Sequence, residues 1–305
     1  IRDSTDGGKA QAGELREVAD CEEEQAVRAL VLGLRDYLGK CGFDEVVLGL
    51  SGGIDSALTA AIATRSIGPD SVLGVAMPSR YSSAGSLTDA EDLAEALGIS
   101  HTVIPIESAH SGFAAAFRDA GQAELTGLAD ENVQARVRGT ILMALSNARG
   151  GAVLATGNKS EIGVGYCTLY GDLCGALAPL GDVTKAGVYR IARLPRFAGR
   201  IPRSSIEKAP SAELRPDQRD TDSLPEYEVL DPILEGWVEG LRGRDELAAA
   251  GHPPDVVEDV TARIEANEYK RVQTPPILRV TPKAYGIGRR VPIARRPSER
   301  PPIER

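Results

Sequence analysis

The sequence predicts an α/β protein: a parallel sheet with helices on both faces and a small helical extension toward the C-terminal end. Three observations carry this. Val46 to Leu50 form an apolar, β-branched run that stops at Ser51-Gly52-Gly53, and helix-forming residues follow from about Asp55 through Ile62. Further apolar runs at 72–77, 101–106 and 152–156 alternate with segments of helical spacing, the pattern of strands joined by crossover helices. The chain's 305 residues, 42% hydrophobic and 26% charged, suffice for a sizeable core, and 4% aromatics make that core aliphatic.

Residues 1–24, rich in Gly, Asp, Glu and Gln, read as a disordered linker. The sequence starts at Ile1 with no Met and no apolar signal region, and is expected to be a truncated piece of a longer protein. Over 22–39, Ala26, Leu30, Leu34 and Leu38 recur at helical spacing behind Glu22, Glu23 and Glu24, which suit a helix start. After the strand at 72–77, Ser86 to Asp89 open a helix that Gly98 closes. Arg80 and Tyr81 are placed on the rim at the strand ends. Glu131 to Arg149 read as a long helix with Val133, Val137, Ile141, Ala144 and Ala148 as its core stripe. Asn132 and Arg136 share another face of it, one turn apart, and Arg138 projects elsewhere.

Past the fourth strand comes Gly157-Asn158-Lys159-Ser160-Glu161, where Glu161 can cap a helix or join Asp55 around Mg²⁺. Asp182 reads as the N-cap of a helix to about Arg193, with Lys185 at its third position. A cation there opposes the macrodipole by ~0.3–1 kcal/mol, which makes sense if an anion sits between the lysine and the helix start. The proline-rich, charged stretch 200–225 is too long for a passive connection and reads as a lid. Two or three short helices fill 226–266, and 294–305 is a Pro/Arg-rich tail.

Composition narrows the function. A net charge of −9 argues against a non-specific nucleic-acid surface, so a phosphate ligand must be held by local donors. Cys21, Cys41, Cys167 and Cys174 form no C-x-x-C pair, which favours a reduced, cytoplasmic setting. No apolar run approaches the ~18 residues of a membrane span. Of the three histidines, His101 reads as a strand residue and His110 and His252 as surface or helix-end residues, with no motif around them.

The loop Ser51–Ser56 is where chemistry is expected. Small residues at a strand end leave backbone N–H groups open, and the following helix start adds positive potential, which together make an anion cradle. A Walker A loop would end in Lys followed by Ser or Thr, and no lysine is present. Gly49-Leu50-Ser51-Gly52-Gly53 also fits the G-x-S-x-G nucleophile elbow, with Ser51 attacking and His252 as partner in a serine hydrolase. Ser51-Gly52-Gly53-Ile54-Asp55-Ser56 matches the Ser-Gly-Gly-x-Asp-Ser loop of ATP pyrophosphatases.

The motifs GLSGGIDSAL (49–58), MPSRYSS (77–83), ENVQARVR (131–138), ATGNKSEIGVGYCTLYGD (155–172), KAPSAELRPDQRDTDSLPEYEVLD (208–231) and NEYKRVQTPP (267–276) together resemble NAD synthetases, specifically the synthetase domain of the glutamine-dependent type. The resemblance covers most of 25–293 and implies the Rossmann-like adenine-nucleotide α-hydrolase fold, in a homodimer. It implies ATP-dependent amidation of deamido-NAD through an adenylated nicotinate carboxylate, with Mg²⁺ and with ammonia supplied from glutamine by a glutaminase domain or taken up free. Gly49, Leu50, Ser51, Gly52, Gly53, Ile54, Asp55 and Ser56 would hold ATP together with Met77, Thr156, Lys185 and Ser211. Asp55 and Glu161 would bind the metal and, with Lys185, carry the chemistry. Asn132, Arg136, Glu161, Tyr170, Asp172 and Lys270 would face deamido-NAD, and Lys208 and Ser211 would lie on a closing loop.

Two departures stand out. Ammonia-using members carry a lysine and an aspartate where this sequence has Leu169 and Ala176, and nothing resembles the glutaminase domain that the glutamine-dependent type adds on its N-terminal side. Other ATP pyrophosphatases, such as GMP synthetases or tRNA-thiolating enzymes, share the loop; the acidic charge and the lack of paired cysteines speak against the latter.

Overall fold

In the computed structural model, which describes residues 21–286 and 288–293, the chain alternates strand and helix through its first half. The order is α1 (Glu22–Cys41), β1 (Val46–Gly49), α2 (Ile54–Ile67), β2 (Val72–Ala76), α3 (Ala84–Leu97), β3 (Ser100–Val103), α4 (Glu107–Asp119), α5 (Leu128–Arg149), β4 (Ala152–Val153) and α6 (Lys159–Val164). Helices follow: α7 (Lys185–Ala192), α8 (Arg203–Glu207), α9 (Tyr227–Val238), α10 (Arg244–Ala249), α11 (Pro254–Ala266) and α12 (Glu268–Arg271). The expectations for residues 1–20 and for the 294–305 tail lie outside the described residues.

The sheet has strand order β3-β2-β1-β4, and every pairing is parallel. Val46 pairs with Val72 on one side and Ala152 on the other, so β1 is central. Parallel bridges from Leu154 to Leu177 and from Ala178 to Ile277 carry the pairing beyond β4. The pleat sends alternate residues to opposite faces. Val46 and Leu48 join the core built with α1, α2, α3 and α7, while Val47 packs with Val75, Val137 and Val153 under α5. Both faces of β1 and β2 are therefore covered, which explains why those strands read as apolar runs, whereas the edge strand β3 is partly exposed. A third core unites Ile162 and Val164 of α6 with Leu230, Leu234, Val260 and Ile264 of α9 and α11; this is the expected helical extension.

Several local expectations need correction. The buried stripe of α1 is Val27, Leu30, Leu34 and Leu38, with Ala26 only half-buried. The strands at 101–106 and 152–156 are shorter, and the helix at 107–119 was not anticipated. Ser83, not Ser86, caps α3, accepting from Ser86 N. In α5 the buried residues are Gln134, Ala135, Val137, Gly139 and Leu142, whereas Ala144 and Ala148 are exposed. The reason is a second neighbour: a Cβ on Gly139 would lie 2.8 Å from Tyr170 O and 3.0 Å from Cys174 Sγ, so α5 is wedged between the sheet and the 168–174 turn.

His110 is buried, with Nε2 2.7 Å from Asp130 Oδ1. Thr184, not Asp182, caps α7, which moves Lys185 to its first position. Asp182 instead accepts from Val280 N and Thr281 N (both 2.8 Å) and pairs with the buried Lys159 at 2.7 Å, tying down the C-terminal segment. Among the described residues no helix is long and apolar enough to cross a membrane.

Candidate active site

The loop after β1 is held by its own side chains. Gly53 N donates to Ser51 Oγ (3.2 Å), Ser51 N to Ser56 Oγ (3.3 Å), and Ser56 Oγ to Gly53 O (3.0 Å). Gly52 takes φ 74°, and a Cβ there would stand 2.7 Å from the Ser86 carbonyl oxygen, so the turn is pressed against the start of α3 where only glycine fits. Ser51 Oγ has Ser56 Oγ at 3.2 Å and the Gly53 N–H as its partners. None of the three histidines lines the cavity beside it. The nucleophile-elbow reading therefore fails for want of a base.

Asp55, in the first turn of α2, and Glu161, in the first turn of α6, flank the ammonium of Lys185 at 2.5 and 3.1 Å. Asn158 ties the two carboxylates together: its Nδ2 donates to Asp55 Oδ1 (2.9 Å), while Asn158 and Glu161 form a reciprocal capping box. Glu161 is thus a capping residue whose carboxylate also lines the cavity. Burial pushes the Glu161 carboxyl up to about 8, with Asp55 adding to the rise and Lys185 opposing it. Burial alone would lower Lys185, but the two carboxylates raise it above its ordinary value. Glu161 therefore holds a proton into the neutral range while Lys185 stays charged.

This cluster opens into a cavity of about 570 Å³ that reaches from the Ser51–Ser56 loop to α5 and to the 208–220 segment. Gly49, Leu50, Ile54, Met77, Asn132, Arg136, Thr156, Asp172, Lys208, Ser211 and Lys270 all line it, so the sequence candidates converge on one space. Gly52 and Tyr170 do not line it; Tyr170 is 69% exposed and donates to Gln273 Oε1 at 2.8 Å. Arg136 is exposed and donates to Leu169 O (3.2 Å), Asn132 Oδ1 accepts from Thr168 Oγ1 (2.7 Å), and Asp172 accepts from Thr168 N (2.6 Å). Lys270 donates to the carbonyls of Gly165 (2.7 Å) and Cys167 (2.8 Å). Arg80 turns away to Glu107 (Nε to Oε2, 3.3 Å), and neither it nor Tyr81 lines the cavity.

Part of the expected lid segment, residues 208–214, 218 and 220, lines the cavity; Gln134 Nε2 donates to Leu214 O (3.0 Å), tying it to α5, and Ser211 Oγ donates to Gln218 O (2.5 Å) within the segment. Residues 26–274 match the family model described as NAD synthase. The chain belongs to the NAD synthase family. It is 47% identical over 288 residues to a glutamine-dependent NAD(+) synthetase of Synechocystis, which covers 94% of this chain and 52% of that protein. Among solved structures it resembles a glutamine-dependent NAD+ synthetase of Acinetobacter baumannii in complex with ADP (TM-score 0.61, 40% identity, 92% of this chain and 51% of that one). It also resembles an NMN synthetase of Francisella tularensis (TM-score 0.70, 27% identity, 83% of this chain and 97% of that one). The chain spans about half the length of the curated relatives it matches.

Within this NAD synthase fold, the sequence reading missed three residues that line the cavity, Arg138, Glu213 and Asp220, and a fourth, Asn158, buried behind it. Arg138 donates to Met77 O at 3.0 Å from inside the cavity, not away from it. Asn158 links Asp55 to α6. Glu213 and Asp220 bring lid carboxylates inward, Asp220 accepting from Tyr227 Oη at 2.8 Å. All four sit inside motifs quoted above, and motif position was the one signal that could have singled them out.

Proposed function

We propose that this chain is the synthetase unit of an enzyme that amidates deamido-NAD to NAD, consuming ATP and releasing AMP and pyrophosphate. One observation supports it above the rest: a strand-end anion cradle, a buried Asp55–Lys185–Glu161 cluster and the Asn132/Arg136/Lys270 wall share one cavity. The ATP phosphates lie against the N–H groups of Ser51–Ser56 and the start of α2, with the Met77 backbone, Thr156 and Ser211 around the rest of the nucleotide. The nicotinate carboxylate attacks the α-phosphorus. The bond to the β-phosphate oxygen breaks, and pyrophosphate leaves with the negative charge that Lys185 faces. Ammonia then attacks the acyl carbon, the acyl–phosphate bond breaks, and AMP departs. Positioning supplies much of the rate, and no side-chain nucleophile is needed.

Asp55 and Glu161 suit Mg²⁺. Both present hard oxygen atoms around a space where the Lys185 ammonium already holds a positive charge, and magnesium is commonly bound by one or two carboxylates plus phosphate oxygens and water. When bound it neutralises phosphate charge. Asn132, Arg136 and Lys270 hold deamido-NAD, with Asp172 at the same wall and Tyr170 at its outer edge. Ammonia comes from a glutaminase unit outside this sequence, in a cytoplasmic homodimer. The test is NAD formation from deamido-NAD and ATP, with ammonium compared against glutamine and deamido-NAD against its mononucleotide. The expected result is NAD and pyrophosphate with ammonium alone; the absence of pyrophosphate release with deamido-NAD would sink the reading.

A further inference from the structure

The lid places a carboxylate in surroundings made for a bound anion. Glu213 Oε1 accepts from Ser86 Oγ (2.6 Å), Lys208 Nζ (3.0 Å) and Ser83 Oγ (3.2 Å), and its Oε2 accepts from Ser83 N (3.4 Å). Lys208 Nζ also reaches Ser83 Oγ (3.4 Å) and Ser86 Oγ. Ser83 and Ser86 are the N-cap and third residue of the fourteen-residue α3, whose start adds positive potential. These donors abut the phosphate cradle itself, because a Cβ on Gly52 would touch the Ser86 backbone at 2.7–2.8 Å.

A second cation nearby has no close ion pair among the described residues and feels the Glu213 charge from a distance. Arg138 lines the same cavity, its hydrogen bond goes to the neutral Met77 carbonyl, and it makes no ion pair with a described residue. Burial lowers its pKa to about 10, with the Glu213 charge pulling the other way. A buried guanidinium in that condition is costly until an anion joins it. Glu213 thus meets two hydroxyls, a backbone N–H and an ammonium in a pocket with cationic capacity left over.

We propose that Ser83, Ser86 and Lys208 form a subsite for pyrophosphate or the terminal phosphates of a nucleotide, and that the Glu213 carboxylate fills it as an internal stand-in which the ligand displaces. This rests on the ATP-using reading above and adds a role for the lid. A phosphate offers more acceptor oxygens and more charge than one carboxylate, so it can engage the same donors and draw on Arg138 as well. Binding is weakened by the fraction of molecules in which Glu213 occupies the subsite.

The test is calorimetric titration of inorganic pyrophosphate, and separately of AMP, into the full chain as wild type, E213Q, E213A and S86A. Melting curves establish which variants are folded, and either folded Glu213 variant decides the matter. Expected is pyrophosphate binding about tenfold tighter in the Glu213 variants, weaker binding in S86A, and AMP affinity unchanged by the Glu213 changes, since AMP has no terminal phosphates. Unchanged or weaker pyrophosphate binding in the Glu213 variants, or wild-type binding in S86A, overturns the proposal. Wild-type turnover is measured separately. Tighter pyrophosphate binding in E213Q without NAD formation by the wild type sinks the proposed reaction and leaves the subsite standing.

Discussion

Replacing Glu161 with Gln should flatten the dependence of stability on pH between 7 and 9. In the native protein the Glu161 carboxyl, buried beside Asp55 and Lys185, titrates near 8 rather than at its ordinary 4.5. Between those values the folded state holds a proton that the unfolded state has released. Stability from this group is therefore full below about 4.5 and is lost as pH rises through about 8. Raising the pH from 7 to 9 carries the site from mostly protonated to mostly ionised, which costs about 1.4 kcal/mol at one proton per site. With about 2 cal/mol/K of unfolding entropy per residue, that amounts to a fall in Tm of about 2 °C.

The Gln side chain keeps the shape and cannot ionise, so E161Q should lack this component. The comparison cancels groups common to both proteins, including Asp231, which burial raises to about 6. The assay is differential scanning calorimetry of both proteins in chelator at pH 7, 8 and 9, reading the difference in slope. Parallel slopes would show that Glu161 is already ionised at pH 7 and that the account of a protonated Glu161 in the cluster is wrong.

Asp55→Ala should abolish pyrophosphate release with the fold intact, because Glu161 stays 3.1 Å from Lys185 and, without the Asp55 charge that helps raise its carboxyl, ionises more readily as the counter-ion; turnover within tenfold of wild type would remove Asp55 from the site. Gly52→Ala should destabilise by more than about 2 kcal/mol, since it forces a left-handed φ and meets the Ser86 backbone at 2.7 Å; unchanged denaturant midpoints would refute that contact. Lys159→Met should cost ~3–5 kcal/mol in urea unfolding, because Lys159 and Asp182 are both fully buried and the remaining carboxylate loses its cation. Arg136→Ala should weaken deamido-NAD binding much more than ATP binding, and equal losses in paired titrations would refute its assignment.

The central strand, its glycine turn and the helix after it were legible because they depend on residues adjacent in sequence. Helix starts were legible only to within a turn. Ser83 and Ser86, or Asp182 and Thr184, are all able to cap, and the choice falls to distant partners; Asp182 is taken by Val280, Thr281 and Lys159. The stripe on α5 was misread for a related reason. Apolar periodicity registers the sheet beneath the helix but not the 168–174 turn above it, which demands the small Gly139 and Ala135 rather than large residues. Arg138 escaped because its partner, the Met77 carbonyl, lies 61 residues away. The 200–225 segment was legible as a long proline-rich connection, but Glu213 and Asp220 as cavity carboxylates were not, since nothing local distinguishes them from solvated acids.

The topology explains why the chemistry gathers where it does. β1 lies between β2 and β4, and the chain leaves it toward one side and returns on the other, so the connections at its carboxyl end part there. Asp55 and Glu161 each occupy the first turn of the helix that follows, where a negative charge is favoured by the dipole. Lys185 occupies the first position of α7, where its charge is disfavoured. The two acids stabilise the lysine in place, and α7 itself would be better served by an anion. On the proposed reading an arriving phosphate would satisfy Lys185 and the start of α7 together, while a divalent cation would take over the acids that Lys185 releases. On that reading the cluster has two sets of partners, the internal one seen here and one that a metal-bound nucleotide would supply, and the exchange between them would require no rearrangement of the sheet.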